Sequence, residues 1–122
     1  MYLIHARLRA PEIDGHPVSP EERTSAREIR RLLTVLAEPE DRLEHAYSEA
    51  RPDGVALGLF FRQPTLDVAE SAADRLCRRC LDTVPGLAGW SLAGCGADLT
   101  LALAPLGTLG GQAWQRPAIA AR

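Results

Sequence analysis

The sequence predicts a small α+β domain whose elements run strand, helix, strand, strand, helix, strand. Three observations carry this expectation. Four short segments hold apolar residues at alternate positions or in runs of strand length, two longer ones repeat them at helical spacing, and Pro- and Gly-rich punctuation separates the six. With 122 residues, 46% hydrophobic and 25% charged, the chain is of a size to bury one core.

Residues 2–9 alternate, with Tyr2, Ile4, Ala6 and Leu8 facing the helices and Leu3, His5, Arg7 and Arg9 on the other side. Residues 11–20, PEIDGHPVSP, read as a loop. Ser19, Pro20 and the acids Glu21 and Glu22 supply an N-cap, a first-turn proline and an acidic first turn for a helix. That helix turns Ala26, Ile29, Leu32, Leu33 and Leu36 inward and Arg23, Arg27, Glu28, Arg30 and Arg31 outward, and Pro39 ends it.

Residues 42–50 form a second strand with Leu43, His45 and Tyr47 on one face. The sequence RPDG at 51–54 supplies the turn that follows, with Pro52 at the first central position and Asp53-Gly54 in positive-φ geometry. In the third strand, GVALGLFFRQ at 54–63, Val55, Leu57, Leu59 and Phe61 point one way and Ala56, Gly58 and Phe60 the other, so both faces are apolar. Thr65 caps a second helix at 66–84, with Leu66, Ala69, Ala73, Leu76 and Cys80 as its stripe, flanked by Ala72, Cys77 and Leu81. Pro85-Gly86 stops it, and residues 87–94 make a fourth strand.

This order is that of a ferredoxin-like βαββαβ sandwich, a four-stranded antiparallel sheet of order 4-1-3-2 with two helices on one face. The third strand is then central. Its second apolar face needs a cover, and a second copy docked on the open sheet face, giving a homodimer, supplies one. Leu99, Leu101 and Leu103 alternate as an extra C-terminal strand would. The single domain is placed at 1–104, with 105–122 as a tail that is loosely ordered or packed on a partner, Trp114 being costly to leave in water.

A formal charge of −2 gives no basic surplus for nucleic acid, and the arginines of REIRRLL and CRRC read as solvated helix faces. All 14 basic residues are arginine, which with abundant Ala, Gly, Pro and Leu fits a GC-rich genome. The start MYLIHARLRAP is too short and too charged for a signal segment, and no apolar run approaches the ~20 residues of a membrane span. The expectation is a cytoplasmic protein with reduced thiols, bound to neither membrane nor nucleic acid.

Candidate chemistry is sparse. Cys77-Arg78-Arg79-Cys80 lies late in its helix, where the dipole disfavours a thiolate, so the pair reads as small buried hydrophobes; metal binding through Cys77, Cys80 and Cys95 is the competing idea. His5 is the best proton-transfer group, sharing the open face with Arg7 and Arg9, while an interface histidine is its plainer role. Strand parity leaves the face of His45 open, and His16 reads as exposed. Trp90 and Phe60 are candidates to hold a ligand, although a core or interface anchor is the commoner fate of such a tryptophan as Trp90. The run EPEDRLE at 38–44 lacks calcium-loop spacing and reads as a solvated turn, and GTLGG at 107–111 lacks the context of a phosphate loop. No cofactor motif is present, and neither a cofactor nor a metal is expected.

With MYLIHARL, LEHAYSE, GVALGLFF, AESAADRLCRRCL and VPGLAGWSL taken together, residues 1–94 resemble a group of small uncharacterised actinobacterial proteins that begin on a Tyr-Leu-Ile-His strand. By architecture the chain is also similar to dimeric α+β barrel proteins, a class that includes cofactor-independent monooxygenases and small polyketide cyclases. Two functions follow as expectations. The first is a non-catalytic binding or accessory protein in specialised metabolism, homodimeric through the sheet face and taking a small apolar ligand or a partner protein. The alternative, implied by the barrel resemblance, is an enzyme in which His5 transfers protons, Arg7 or Arg9 stabilises negative charge, and Trp90 and Phe60 hold the substrate.

Overall fold

An antiparallel sheet forms the centre of the molecule. The computed structural model describes residues 1–97 of the chain. Its elements are β1 (Tyr2–Arg9), β2 (Glu12–Ile13), β3 (His16–Pro17), α1 (Ala26–Leu36), β4 (Leu43–Arg51), β5 (Gly54–Phe61), α2 (Leu66–Thr83) and β6 (Ser91–Gly96). The four long strands lie in the order β4-β5-β1-β6, all neighbours antiparallel. Counted along the chain and read from the β6 edge this is 4-1-3-2, compatible with a ferredoxin-like arrangement. The extra strand at Leu99 to Leu103, the boundary at 104 and the tail lie outside the described residues.

Alternation decides which side of the sheet is covered. Ile4, Ala6 and Leu8 of β1 and Val55, Leu57, Leu59 and Phe61 of β5 are buried in one cluster with Ile29 and Leu33 of α1 and Ala69, Ala73 and Leu76 of α2. Each large apolar side chain taken from water there contributes about 1.5–3 kcal/mol before entropy is counted. Thr65 caps α2 as expected, its side chain accepting from Val68 N–H at 3.2 Å. Leu66, by contrast, is exposed rather than part of the stripe.

Several local expectations are corrected. Within the predicted loop, Asp14 (φ 55°) and Gly15 (φ 79°) form a two-residue turn that pairs β2 with β3, the Asp-Gly combination suited to a tight hairpin. Ser19 makes no side-chain cap. Pro20–Glu22 form a single 3-10 turn, and α1 starts only after Ser25, whose Oγ accepts from Glu28 N–H at 3.1 Å. The turn after β4 uses no positive φ at Asp53 or Gly54. Leu87 is buried in a 3-10 turn at Pro85–Leu87, and β6 begins at Ser91 rather than near Leu87.

Two sets of charges expected in solvent are structural. In the predicted acidic turn Asp41 is 1% exposed, its Oδ2 accepting from Arg79 Nη1 at 3.1 Å and from Glu38 N–H at 2.8 Å. Arg79 is thus the half-buried partner of Asp41 in CRRC, whereas Arg78 stays outside and pairs with Asp74 at 2.9 Å. Arg23, freed by the late start of α1, leaves the helix face altogether. It donates through Nη1 to the carbonyls of Val18 (3.1 Å) and Pro52 (3.2 Å) and through Nη2 to those of Arg51 and Gly54 (2.7 Å), with its guanidinium 5.8 Å from the centre of the Trp90 ring. One planar fork therefore ties the hairpin tip of β4 and β5 to the chain entering α1. Arg23→Met should lower the urea midpoint by an amount worth about 2 kcal/mol, and Arg23→Lys should recover less than half of it, because a point charge cannot reproduce the fork.

Candidate functional site

The sheet side away from the helices is the surface where the sequence candidates meet. Its floor is set by register. Across the sheet Tyr47 opposes Gly58, which opposes His5, which opposes Gly96; one step along, Glu49, Ala56, Arg7 and Gly94 form the next row. His5 and Arg7 therefore stand on the central strand with only hydrogen or methyl neighbours to either side.

Aromatic side chains build the wall. A bulge between Leu43 and His45 sends Leu43 to the helix side, opposite Phe61, and brings His45 opposite Phe60 on the open side. The sequence reading that put Leu43, His45 and Tyr47 on one face is corrected by that extra residue. The His45 ring meets Tyr47 edge-on at 4.8 Å between centres, and Tyr47 meets Phe60 edge-on at 5.7 Å, the geometry favoured by ring quadrupoles. A Cβ placed at Gly58 would lie 3.3 Å from Tyr47 Cδ2 and 3.5 Å from Leu3 Cδ1, so both side chains lean over the bare glycine. Tyr47 remains 54% exposed.

His5 is half-buried, and its Nε2 is enclosed without a hydrogen-bond partner. Burial lowers its pKa below the ordinary value of 6.5, since a desolvated imidazolium lacks compensation. Above pH 6.5 the ring is neutral whether the chain is folded or not. Below it the unfolded chain binds a proton that the folded one refuses, so stability falls as pH drops from 6.5 through the lowered folded value. His5→Gln should flatten this limb of a pH–stability curve; an unchanged slope between pH 7 and 5 would count against the burial described.

Of the other candidates, Arg7 Nη2 lies 3.8 Å from Asp53 Oδ2, and Phe60 is half-buried in the ring cluster. Arg9 is exposed at the end of β1 opposite Ser91. Trp90 is not on this face. It precedes β6, is 8% exposed and packs in the core with Arg23 against its ring. The structure thus unites His5, Arg7 and Phe60, leaves Trp90 apart, and adds Tyr47 and His45, which the sequence reading had not assigned to the site.

Two open clefts lie elsewhere. One of about 540 Å³ runs along α2 by Asp67, Glu70 and Asp74, and one of about 550 Å³ lies by Thr34, Glu38, Arg42 and Arg62; neither includes His5. Among the described residues no three His, Cys, Asp or Glu side chains are placed to hold a metal, so Cys77, Cys80 and Cys95 do not converge into a metal site. Burial pushes the Cys77 thiol far up and raises Cys80 and Cys95 to about 11. Such thiols are protonated at neutral pH, which slows their reactions. No described helix is long and apolar enough to cross a membrane. Comparison with family models, with curated proteins and with solved structures finds no match.

Proposed function

We propose that the protein is a non-catalytic binding module on a ferredoxin-like sandwich, homodimeric through its open sheet face and serving to hold a small apolar ligand or a partner protein. The observation that carries this reading is the uncovered patch of Leu3, Tyr47, Gly58 and Phe60, with Tyr47 54% exposed and the other three partly so, facing no described element. Small floor residues permit close approach, and aromatic walls supply burial without ordering many torsions. Light scattering on a sizing column tests it with the full chain and with Ala56→Arg, which raises a long charged side chain from the centre of the face. The variant should shift the mass toward a smaller species; an unchanged mass removes the face contact.

One observation favours a second reading, an enzyme of the cofactor-independent monooxygenase or cyclase kind. In it the unpartnered Nε2 of His5, enclosed and made a weaker base by burial, would take the proton, with Arg7 two residues on to stabilise the anion formed. Hydroxylated aromatic compounds should then perturb the His5 ring resonances on titration. Spectra that stay flat at millimolar concentration remove this reading.

A further inference from the structure

At the opposite end of the sheet order from β6, β4 is an edge strand of nine residues, LEHAYSEAR, with neither proline nor lysine in it. Natural edges are normally blunted by such residues or by bulges, and the one irregularity here lies between Leu43 and His45, leaving Ala46 to Arg51 regular. We propose that β4 pairs antiparallel with β4 of a second copy across a twofold axis at Tyr47, joining the two sheets edge to edge. The proposal shares with the preceding reading the identity of the partner and the bordering Tyr47 and Phe60, but its contact runs along the backbone edge of β4 and not across the sheet face.

Backbone polarity and charge both select that axis. The two-residue loop makes Arg51 and Gly54 a hydrogen-bonded pair, so alternation turns the N–H and C=O groups of Tyr47 and Glu49 toward β5 and those of Ala46, Ser48 and Ala50 outward. With the axis at Tyr47, Ala46 bonds to Ser48 of the second copy, and His45 comes opposite Glu49 twice, once on each side. Tyr47 stands beside its twin at the ~5 Å Cβ separation of a cross-strand pair. Moving the axis to Ala46 sets Glu49 opposite Leu43; moving it to Ser48 sets His45 opposite Arg51. Only the Tyr47 axis pairs an acid with the imidazole, and it merges two His45–Tyr47–Phe60 clusters into one aromatic band.

Within one copy His45 and Glu49 are four residues apart on an extended strand and do not touch, so a charge exchange reads the edge contact alone. His45→Glu should weaken association about tenfold, and the double variant His45→Glu/Glu49→Lys should restore it, two cross-strand pairs having changed sign and changed back. Ser48→Pro deletes an outward N–H, a change an edge strand tolerates, and should halve the assembly mass seen by light scattering, with circular dichroism as the control for folding. If Ala56→Arg dissociates the assembly while Ser48→Pro and His45→Glu leave it intact, the face contact stands and the edge pairing is overturned. If Ser48→Pro and His45→Glu dissociate it while Ala56→Arg does not, the edge pairing stands without the face contact. A full chain that runs as a monomer at millimolar concentration overturns both.

Discussion

Gly54→Ala should destabilise the fold by about 3 kcal/mol or more, at the upper end of what overpacking costs. A Cβ there would sit 1.8 Å from the Leu8 carbonyl oxygen, 2.9 Å from its carbon and 3.0 Å from Arg9 Cα. All three atoms are backbone of the central β1, which is paired on both edges and cannot give way. The same crossing is fixed by Ala10 N–H donating to Asp53 O at 2.8 Å and by Arg23 reaching Gly54 O. Gly58→Ala is the control. Its nearest neighbours are the Tyr47 and Leu3 side chains, and Tyr47 is free to swing outward, so the cost should stay under about 1 kcal/mol. Urea denaturation of the two variants side by side decides the matter, and equal midpoints would refute the close approach.

Arg79→Met should cost about 3 kcal/mol, because it strands a buried carboxylate. Asp41 would keep only Glu38 N–H at 2.8 Å and the more exposed Arg75, 3.9 Å from its other oxygen. Arg79 also donates to Leu36 O at 3.2 Å, so its loss frees the end of α1 from α2. Arg78→Met, one residue earlier, removes only an exposed pair with Asp74 and should change stability by less than about 1 kcal/mol. Replacing both partners, as Arg79→Met/Asp41→Leu, should cost less than the sum of the two single changes, since no charge is then left buried. Equal midpoints for the Arg78 and Arg79 variants would refute the buried pairing.

These residues also show where the sequence is readable. The alternation at 2–9 and 54–61 and the stripe from Ala69 to Cys80 are properties of the chain's own periodicity, and the structure reproduces them. The site was legible in part, because His5, Arg7 and Phe60 owe their common face to the same alternation. Even the face of His45 is recoverable, since a two-residue loop after Arg51 fixes the pairing and counting back sets His45 against Phe60. The bulge beyond it has no local signature. Asp41, Arg79 and Arg23 escaped because a charge looks solvated until its partner, 38 residues on in the case of Asp41, is brought beside it. Trp90 is in the core, the commoner fate the sequence reading gave it, and its ligand-holding role fails because a 3-10 turn sets the start of β6 beyond it.

The thiols carry a practical consequence. With their thiols raised by burial to about 11, Cys80 and Cys95 are protonated at pH 7, and Cys77, pushed further up, is more so. A maleimide dye added at neutral pH would react slowly with these thiols, most slowly with the buried Cys77 and Cys80. The unaltered chain is therefore a quiet background for spectroscopy, and a single cysteine introduced at an exposed site such as Glu21 gives one addressable position from which distances between copies can be measured by energy transfer.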